Sequence, residues 1–232
     1  MNKYRLNDIA TQTEKDHEYA KETGNYFNSS TGSTLDKLNN FPRFISRQSM
    51  SLFLAKHELF KRVLSVHGSV VECGVFAGGG LFTWAQLSAI YEPFNHGRRV
   101  IGFDTFNGFP AISSEDGEGD EEHRQVGGYS FEAIDELQKA ALLHDLNRPI
   151  GHIPKVELVP GDAVETIPHY VEENDHLVVS LLYLDFDLYA PTLMALRTFL
   201  PRMPKGAVIG FDELNQKKWP GETRAVMEAV GI

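Results

Sequence analysis

Five short runs of apolar, largely β-branched residues recur along this chain: SVVEC at 69–73, RVIGF at 99–103, VELV at 156–159, VVSLLYLD at 178–185 and GAVIGF at 206–211. None alternates strictly between apolar and polar residues, which is the pattern of strands covered on both faces, as in a parallel sheet. Parallel neighbours need long crossovers, and stretches with helical spacing lie between the runs. LFTWAQLSAIY follows the first run, SFEAIDELQKAALLHDL precedes the third, and PTLMALRTFL follows the fourth with Pro191 near a tolerated first-turn position. The predicted fold class is therefore α/β, an open and mostly parallel sheet with helices on both faces. Ligands of such sheets sit beyond the carboxyl ends of the strands.

The rest of the chain frames that sheet. Residues 1–44 are polar and rich in Asn, Ser, Thr and Gly, with NSSTGST at 28–34 reading as loop, so they are expected to form an arm or lid ahead of the sheet domain over 45–232. Apolar residues at Ile45, Leu52, Leu54, Phe60, Val63 and Leu64 mark one or two amphipathic helices that end near Gly68. A formal net charge of -10 excludes the basic stripe that nucleic acid requires and favours a small-molecule substrate. No apolar run reaches the ~18 residues of a membrane span, and the amino terminus lacks a signal-peptide core. One cysteine, Cys73, has no partner for an intramolecular disulfide and reads as a small core residue, which suits a reducing compartment; a cytoplasmic location is expected.

Every strand end carries an acid: ECGVFAGGG, FDTFNGFP, VPGDAVETIP, LDFDLYAPT and GFDEL. Turns and helix caps account for single acids, but like charges gathered at one sheet edge repel and need a cation or donors. Asp104, ending the second strand, is placed to accept from two ribose hydroxyls, while glycines 74, 78, 79 and 80 let a ligand lie against the first turn. The dinucleotide fingerprint G-x-G-x-x-G is not met, because Phe76 stands at its second glycine and Asp104 follows thirty residues after Gly74. A glycine turn beside an acid without that signature suits S-adenosylmethionine better than NAD. Asp185, Asp187, Asp212 and Glu213, with no His or Cys in their motifs, are hard oxygen donors and point to Mg²⁺, which would lower the pKa of a bound alcohol.

The ordered set VVECGVFAGGGLFTWAQLSAI, IGFDTFNGFP, LLYLDFDLYAPT and VIGFDELN resembles the macrocin O-methyltransferase family, class I methyltransferases that act on sugar hydroxyls; the likeness covers roughly residues 60–225. The resemblance implies a Rossmann-like methyltransferase sheet. It implies that Glu72, Gly74 and Gly78 shape the methionine-end pocket, that Asp104 holds the ribose and that Asp162 lies beside the adenine. It also implies that Asp185, Asp212 and Glu213 match the metal ligands. The family's usual pair at the last two positions is Asp-Asp, so Glu213 departs from it by one methylene. His123 or Asp185 is the expected general base, and Asp187 is expected to orient the DLY loop. The acidic stretch SSEDGEGDEE is a candidate substrate cover. The class I sheet normally continues past the fifth strand, so the carboxyl-terminal strands are expected to be missing, with truncation or a homo-oligomeric partner as alternatives.

The resulting expectation is a metal-assisted O-methyltransferase that uses S-adenosylmethionine on a hydroxyl of a sugar, glycan or glycosylated small molecule. A nucleotide-cofactor oxidoreductase and a non-catalytic methyltransferase-like binding protein are the alternatives.

Overall fold

The structure is a computed structural model that describes residues 13–117 and 123–231. It divides into two compact units, Met1–Leu54 and Ala55–Ile232. Within the first, α1 (Glu14–Ser29) and α2 (Thr34–Asn39) precede a 3-10 turn at Phe41–Arg43 and the start of α3 (Arg47–Arg62). Polarity conceals the first two helices in the sequence: their starts are set by capping rather than by an apolar stripe, and neither buries a residue. Ser33 caps α2 by accepting from Asp36 N at 3.2 Å, while the Asp36 carboxylate accepts from Ser33 N at 2.8 Å, a reciprocal pair that satisfies two otherwise orphaned amides. The loop expected over 28–34 shrinks to the few residues between the helices.

The second unit carries the sheet. Along the chain come β1 (Ser69–Cys73), α4 (Gly79–Tyr91), β2 (Val100–Asp104), α5 (Ile134–Leu146), β3 (Val156–Pro160), α6 (Ala163–Glu173), β4 (Val179–Leu184), α7 (Tyr189–Phe199), β5 (Val208–Phe211) and α8 (Pro220–Val230). The sheet is parallel throughout, in the order β3-β2-β1-β4-β5. Its central strands are buried on both faces, which is why their sequences do not alternate. One face packs Ile167, Leu196, Phe199 and Val226 from α6, α7 and α8; the other packs Phe60, Leu81, Trp84 and Leu137 from α3, α4 and α5. Cys73 is a fully buried free thiol in the first of these layers.

Like α8, α6 is another helix that sequence reading leaves out. Pro168 lies inside it, where the missing N–H and the ring clash disfavour a helix. Ala163, Ile167, Tyr170 and Val171 nevertheless share its buried face, and packing against the sheet outweighs that local cost. At the amino-terminal edge the Arg98 guanidinium ties the sheet together, donating to Glu92, Gly68 O, Val63 O and Val66 O at 2.7 to 3.1 Å. Among the described residues no helix is long and apolar enough to cross a membrane.

Candidate active site

The turn after β1 is tightly packed against the end of β4. A Cβ on Gly74 would sit 2.0 Å from Asp185 O, so the ends of β1 and β4 approach too closely for any side chain there. Gly78 has φ 83° and its Cβ would meet Leu137 at 2.5 Å; on Gly80 it would lie 1.8 Å from the Glu72 carboxylate. These three glycines are required by neighbouring protein, independently of any ligand that lies against the turn. Gly79 alone of the four has nothing within 4 Å, and it opens α4, where free helix amides favour a polar ligand.

Asp104 organises this turn. One carboxylate oxygen accepts from Val75 N at 2.7 Å and Phe76 N at 2.8 Å, and the other from Phe106 N at 2.7 Å. Phe76 is held at φ 50°, a left-handed conformation that a non-glycine residue adopts only when its surroundings fix it. Of the roughly four acceptor sites on a carboxylate, three are taken by backbone, leaving about one for a ribose hydroxyl. Asp162 likewise has a local task, capping α6 by accepting from Val164 N at 2.9 Å. A cavity of about 590 Å³ opens beside these strand ends, lined by Thr105, Phe106 and Asn107 after β2, Pro160 at the end of β3 and the start of α5.

Glu72 lies buried below Gly80 and pairs with Lys56 Nζ at 3.2 Å; its second oxygen has no partner. Burial pushes its carboxyl up to about 7, with Lys56 opposing the shift. The Lys56 ammonium is also 3.3 Å from the centroid of the Tyr183 ring and 4.9 Å from that of Trp84. The Tyr183 hydroxyl donates to Asp212 at 2.8 Å, and burial followed by the Asp212 charge raises its pKa. A continuous polar chain, Glu72 to Lys56 to Tyr183 to Asp212, thus links the first turn to the end of β5. Neither Lys56 nor Tyr183 was singled out from the sequence; a lysine at a core-facing position of the amphipathic helix α3 is the one hint that was available.

Asp185 follows the last residue of β4 beside this chain, and burial, then Asp212 and Asp187, raise its pKa well above the usual carboxylate range. Glu222 on α8 is fully buried. One of its oxygens accepts from Glu213 N at 3.0 Å, the other has no partner, and its carboxyl is pushed up to about 8, chiefly by burial. Glu222 escaped sequence reading because its motif, PGETR, looks like an ordinary helix start. The structure brings Asp185, Asp187 and Asp212 into one electrostatic neighbourhood. Among the described residues, however, no three His, Cys, Asp or Glu side chains converge on a metal position, so the expected set of Asp185, Asp212 and Glu213 is not preformed. Their donor chemistry still fits Mg²⁺, which is often held by one or two carboxylates with water completing its shell.

His123 packs beside Tyr129, with the two ring centroids 4.7 Å apart. The expected substrate cover is described up to Gly117, and residues 118–122 of it lie outside the described residues, as do 1–12 of the amino-terminal arm. Asp116 in this segment is buried and accepts from Tyr189 N, at the start of α7, at 2.6 Å.

A family model described as macrocin O-methyltransferase (TylF) matches residues 7–228. The 8-demethyl-8-(2,3-dimethoxy-alpha-L-rhamnosyl)-tetracenomycin-C 4'-O-methyltransferase of Streptomyces olivaceus is 29% identical over 158 residues, or 64% of this chain. The match spans about half of that curated relative, 53%. The crystal structure of CalS11, a calicheamicin methyltransferase, superposes with a TM-score of 0.91 at 34% identity, covering 98% of this chain and 90% of that one. The apo structure of CalS11, described as a TDP-rhamnose 3'-O-methyltransferase, gives a TM-score of 0.82 at 34% identity, covering 97% and 90%. The O-methyltransferase NovP, at 22% identity and a TM-score of 0.60 over 76% of this chain and 69% of that one, shares the fold.

Proposed function

The chain belongs to the macrocin O-methyltransferase family, and from that premise we propose that it transfers a methyl group from S-adenosylmethionine to a hydroxyl of a sugar or glycosylated small molecule. The observation that carries this reading is the pairing of two features at one sheet edge. An open helix start at Gly79, beside a turn fixed by Asp104, adjoins a cluster of carboxylates at Asp185, Asp187 and Asp212. The first suits a donor and the second an alcohol that must lose a proton. The oxidoreductase alternative falls with the family assignment.

In this reading the donor's adenosine occupies the cavity beside Thr105 and Pro160, with Asp162 near the base and the last acceptor site of Asp104 on the ribose. Glu72, near Gly74 and Gly78, offers a buried carboxylate to the methionine ammonium. Asp185, kept basic by burial and then by its like-charged neighbours, takes the acceptor proton, with His123 the alternative base. Asp185 and Asp212 would hold a divalent cation, and Glu213 follows as the third donor. When bound, that cation lowers the pKa of the acceptor hydroxyl and neutralises the crowded acids.

The test is methyl transfer with labelled donor, with and without EDTA, in the parent protein and in Asp212→Asn. Turnover should need Mg²⁺ and should be lost in the variant, while S-adenosylhomocysteine affinity stays within a few-fold. Full activity in EDTA would remove the metal and leave Asp185 or His123 to act unaided.

A further inference from the structure

Burying a lysine ammonium is costly unless partners offset the lost water, yet α3 buries Lys56 at 7% exposure. Its Nζ donates to Glu72 Oε1 at 3.2 Å and lies 3.3 Å from the centroid of the Tyr183 ring and 4.9 Å from that of Trp84. The two aromatic faces hold the ammonium without offering it an oxygen, so Glu72 is the carboxylate it addresses. Packing alone does not call for this charge. An apolar pair of similar volume in place of a buried ion pair often leaves a fold as stable or more so.

The pair is also incomplete. Glu72 is 2% exposed, and its Oε2 has no hydrogen-bond partner. Its carboxylate lies under the first turn of α4, where a Cβ on Gly80 would stand 1.8 Å from Oε1 and 3.0 Å from Oε2, while the adjoining Gly79 faces open space. A buried carboxylate oxygen without a donor calls for one. Lys56 from α3, the Trp84 indole N–H from α4, Asp104 from β2, Tyr183 from β4 and Asp185 just after it all bear on Glu72. Of these, Lys56 alone is a cation. The indole N–H, out of hydrogen-bond contact with any acceptor, adds a smaller preference for the charged carboxylate.

We infer that Lys56 is a positioning residue for the methyl donor: it keeps Glu72 charged and engages Oε1, so that Oε2 stands ready for the donor's α-ammonium. Lys56 itself touches no part of the donor. The inference rests on the S-adenosylmethionine reading of the site and assigns how its methionine end is held. Without Lys56, burial and the Asp104 charge both favour the protonated carboxyl, which lacks the negative charge an ammonium needs. Even with Lys56 in place the Glu72 carboxyl is pushed up to about 7, so donor affinity should rise with pH across that value.

The experiment is calorimetric titration of the parent protein, Lys56→Met, Glu72→Gln and the double variant with two ligands. One is S-adenosylhomocysteine and the other is methylthioadenosine, which lacks the amino-acid end. The parent should bind S-adenosylhomocysteine about tenfold more tightly at pH 8 than at pH 6, and Glu72→Gln should flatten that rise. Lys56→Met keeps the apolar stem. It should lose at least about tenfold in S-adenosylhomocysteine affinity at pH 7 and move the rise to higher pH, with methylthioadenosine binding unchanged. Adding Lys56→Met to Glu72→Gln should cost nothing further. That comparison holds even where the single Lys56→Met protein fails to fold, since the double variant buries neither charge. A flat parent profile, parental S-adenosylhomocysteine affinity in Lys56→Met, an equal loss for methylthioadenosine, or a further loss in the double variant overturns the inference. Failure of the methyltransferase reading would show separately, as no binding of S-adenosylhomocysteine by the parent protein at any pH.

Discussion

Glu72 shows how one buried carboxyl ties stability to pH. Its folded pKa, about 7, lies above the ordinary 4.5. Between those values the folded protein keeps a proton that the unfolded chain has lost, so this contribution to stability is complete below about pH 4.5 and fades as pH rises to 7. At about 1.4 kcal/mol per unit the effect is bounded near ~3 kcal/mol. Urea denaturation at pH 5 and pH 7.5 should show that loss in the parent protein, and Glu72→Gln should flatten it. An equal slope in both would place the titration elsewhere. Tyr183→Phe removes only the hydroxyl that donates to Asp212. It should lower turnover with donor affinity unchanged and cost about 0.5–1.5 kcal/mol in stability; unchanged kcat would make the Glu72–Lys56–Tyr183–Asp212 chain merely structural.

Within the first turn of α4, two adjacent glycines make opposite forecasts. Gly79 faces open space at an ordinary helical φ, so Gly79→Ala should be neutral or stabilise the fold by about 0.5–1 kcal/mol. Any loss of donor affinity in that variant would mark Gly79 as the ligand's approach. Gly80→Ala would force a Cβ to 1.8 Å from Glu72 Oε1. The buried Glu72–Lys56 pair must then shift, and melting temperature and donor affinity should both fall. A Gly80→Ala protein as stable as Gly79→Ala would show that the Glu72 side chain rearranges freely. GGG reads identically at all three positions; the difference arises from what α4 packs against.

Across the sheet domain, Asp116 joins distant parts of the chain. Its carboxylate accepts from Ser113 N and Oγ and from Tyr189 N at the start of α7, and Gly221 of α8 comes so close that a Cβ there would lie 2.3 Å from it. Asp116→Ala leaves these donors unpaired in a buried site, at a cost of about 1–3 kcal/mol for each stranded group. It should lower the melting temperature and, if the loop after β2 covers the acceptor as expected from its sequence, raise the acceptor KM more than it changes donor affinity. Saturating S-adenosylhomocysteine at 100 times its Kd should add about 2.7 kcal/mol to either protein. A melting curve indifferent to that ligand would mean the donor site is not formed.

By itself the sequence determined the fold class, the five strands and the acids at their ends, because parallel buried strands and helical crossovers leave local periodicities that do not depend on distant residues. The motifs also carried the family. What the tertiary structure alone decided is the work each residue does. Asp104 spends three of its acceptor sites on the turn, Gly74 and Gly80 yield to Asp185 and Glu72, and α6 survives Pro168 because the sheet covers it. Lys56 meets Glu72 across 16 residues, Tyr183 meets Asp212 across 29, and Phe109, after β2, meets Trp219, after β5, although β1 and β4 separate those strands. Hydrogen bonding, desolvation and ring packing act over a few ångströms of space, and only the folded sheet sets which residues stand that close.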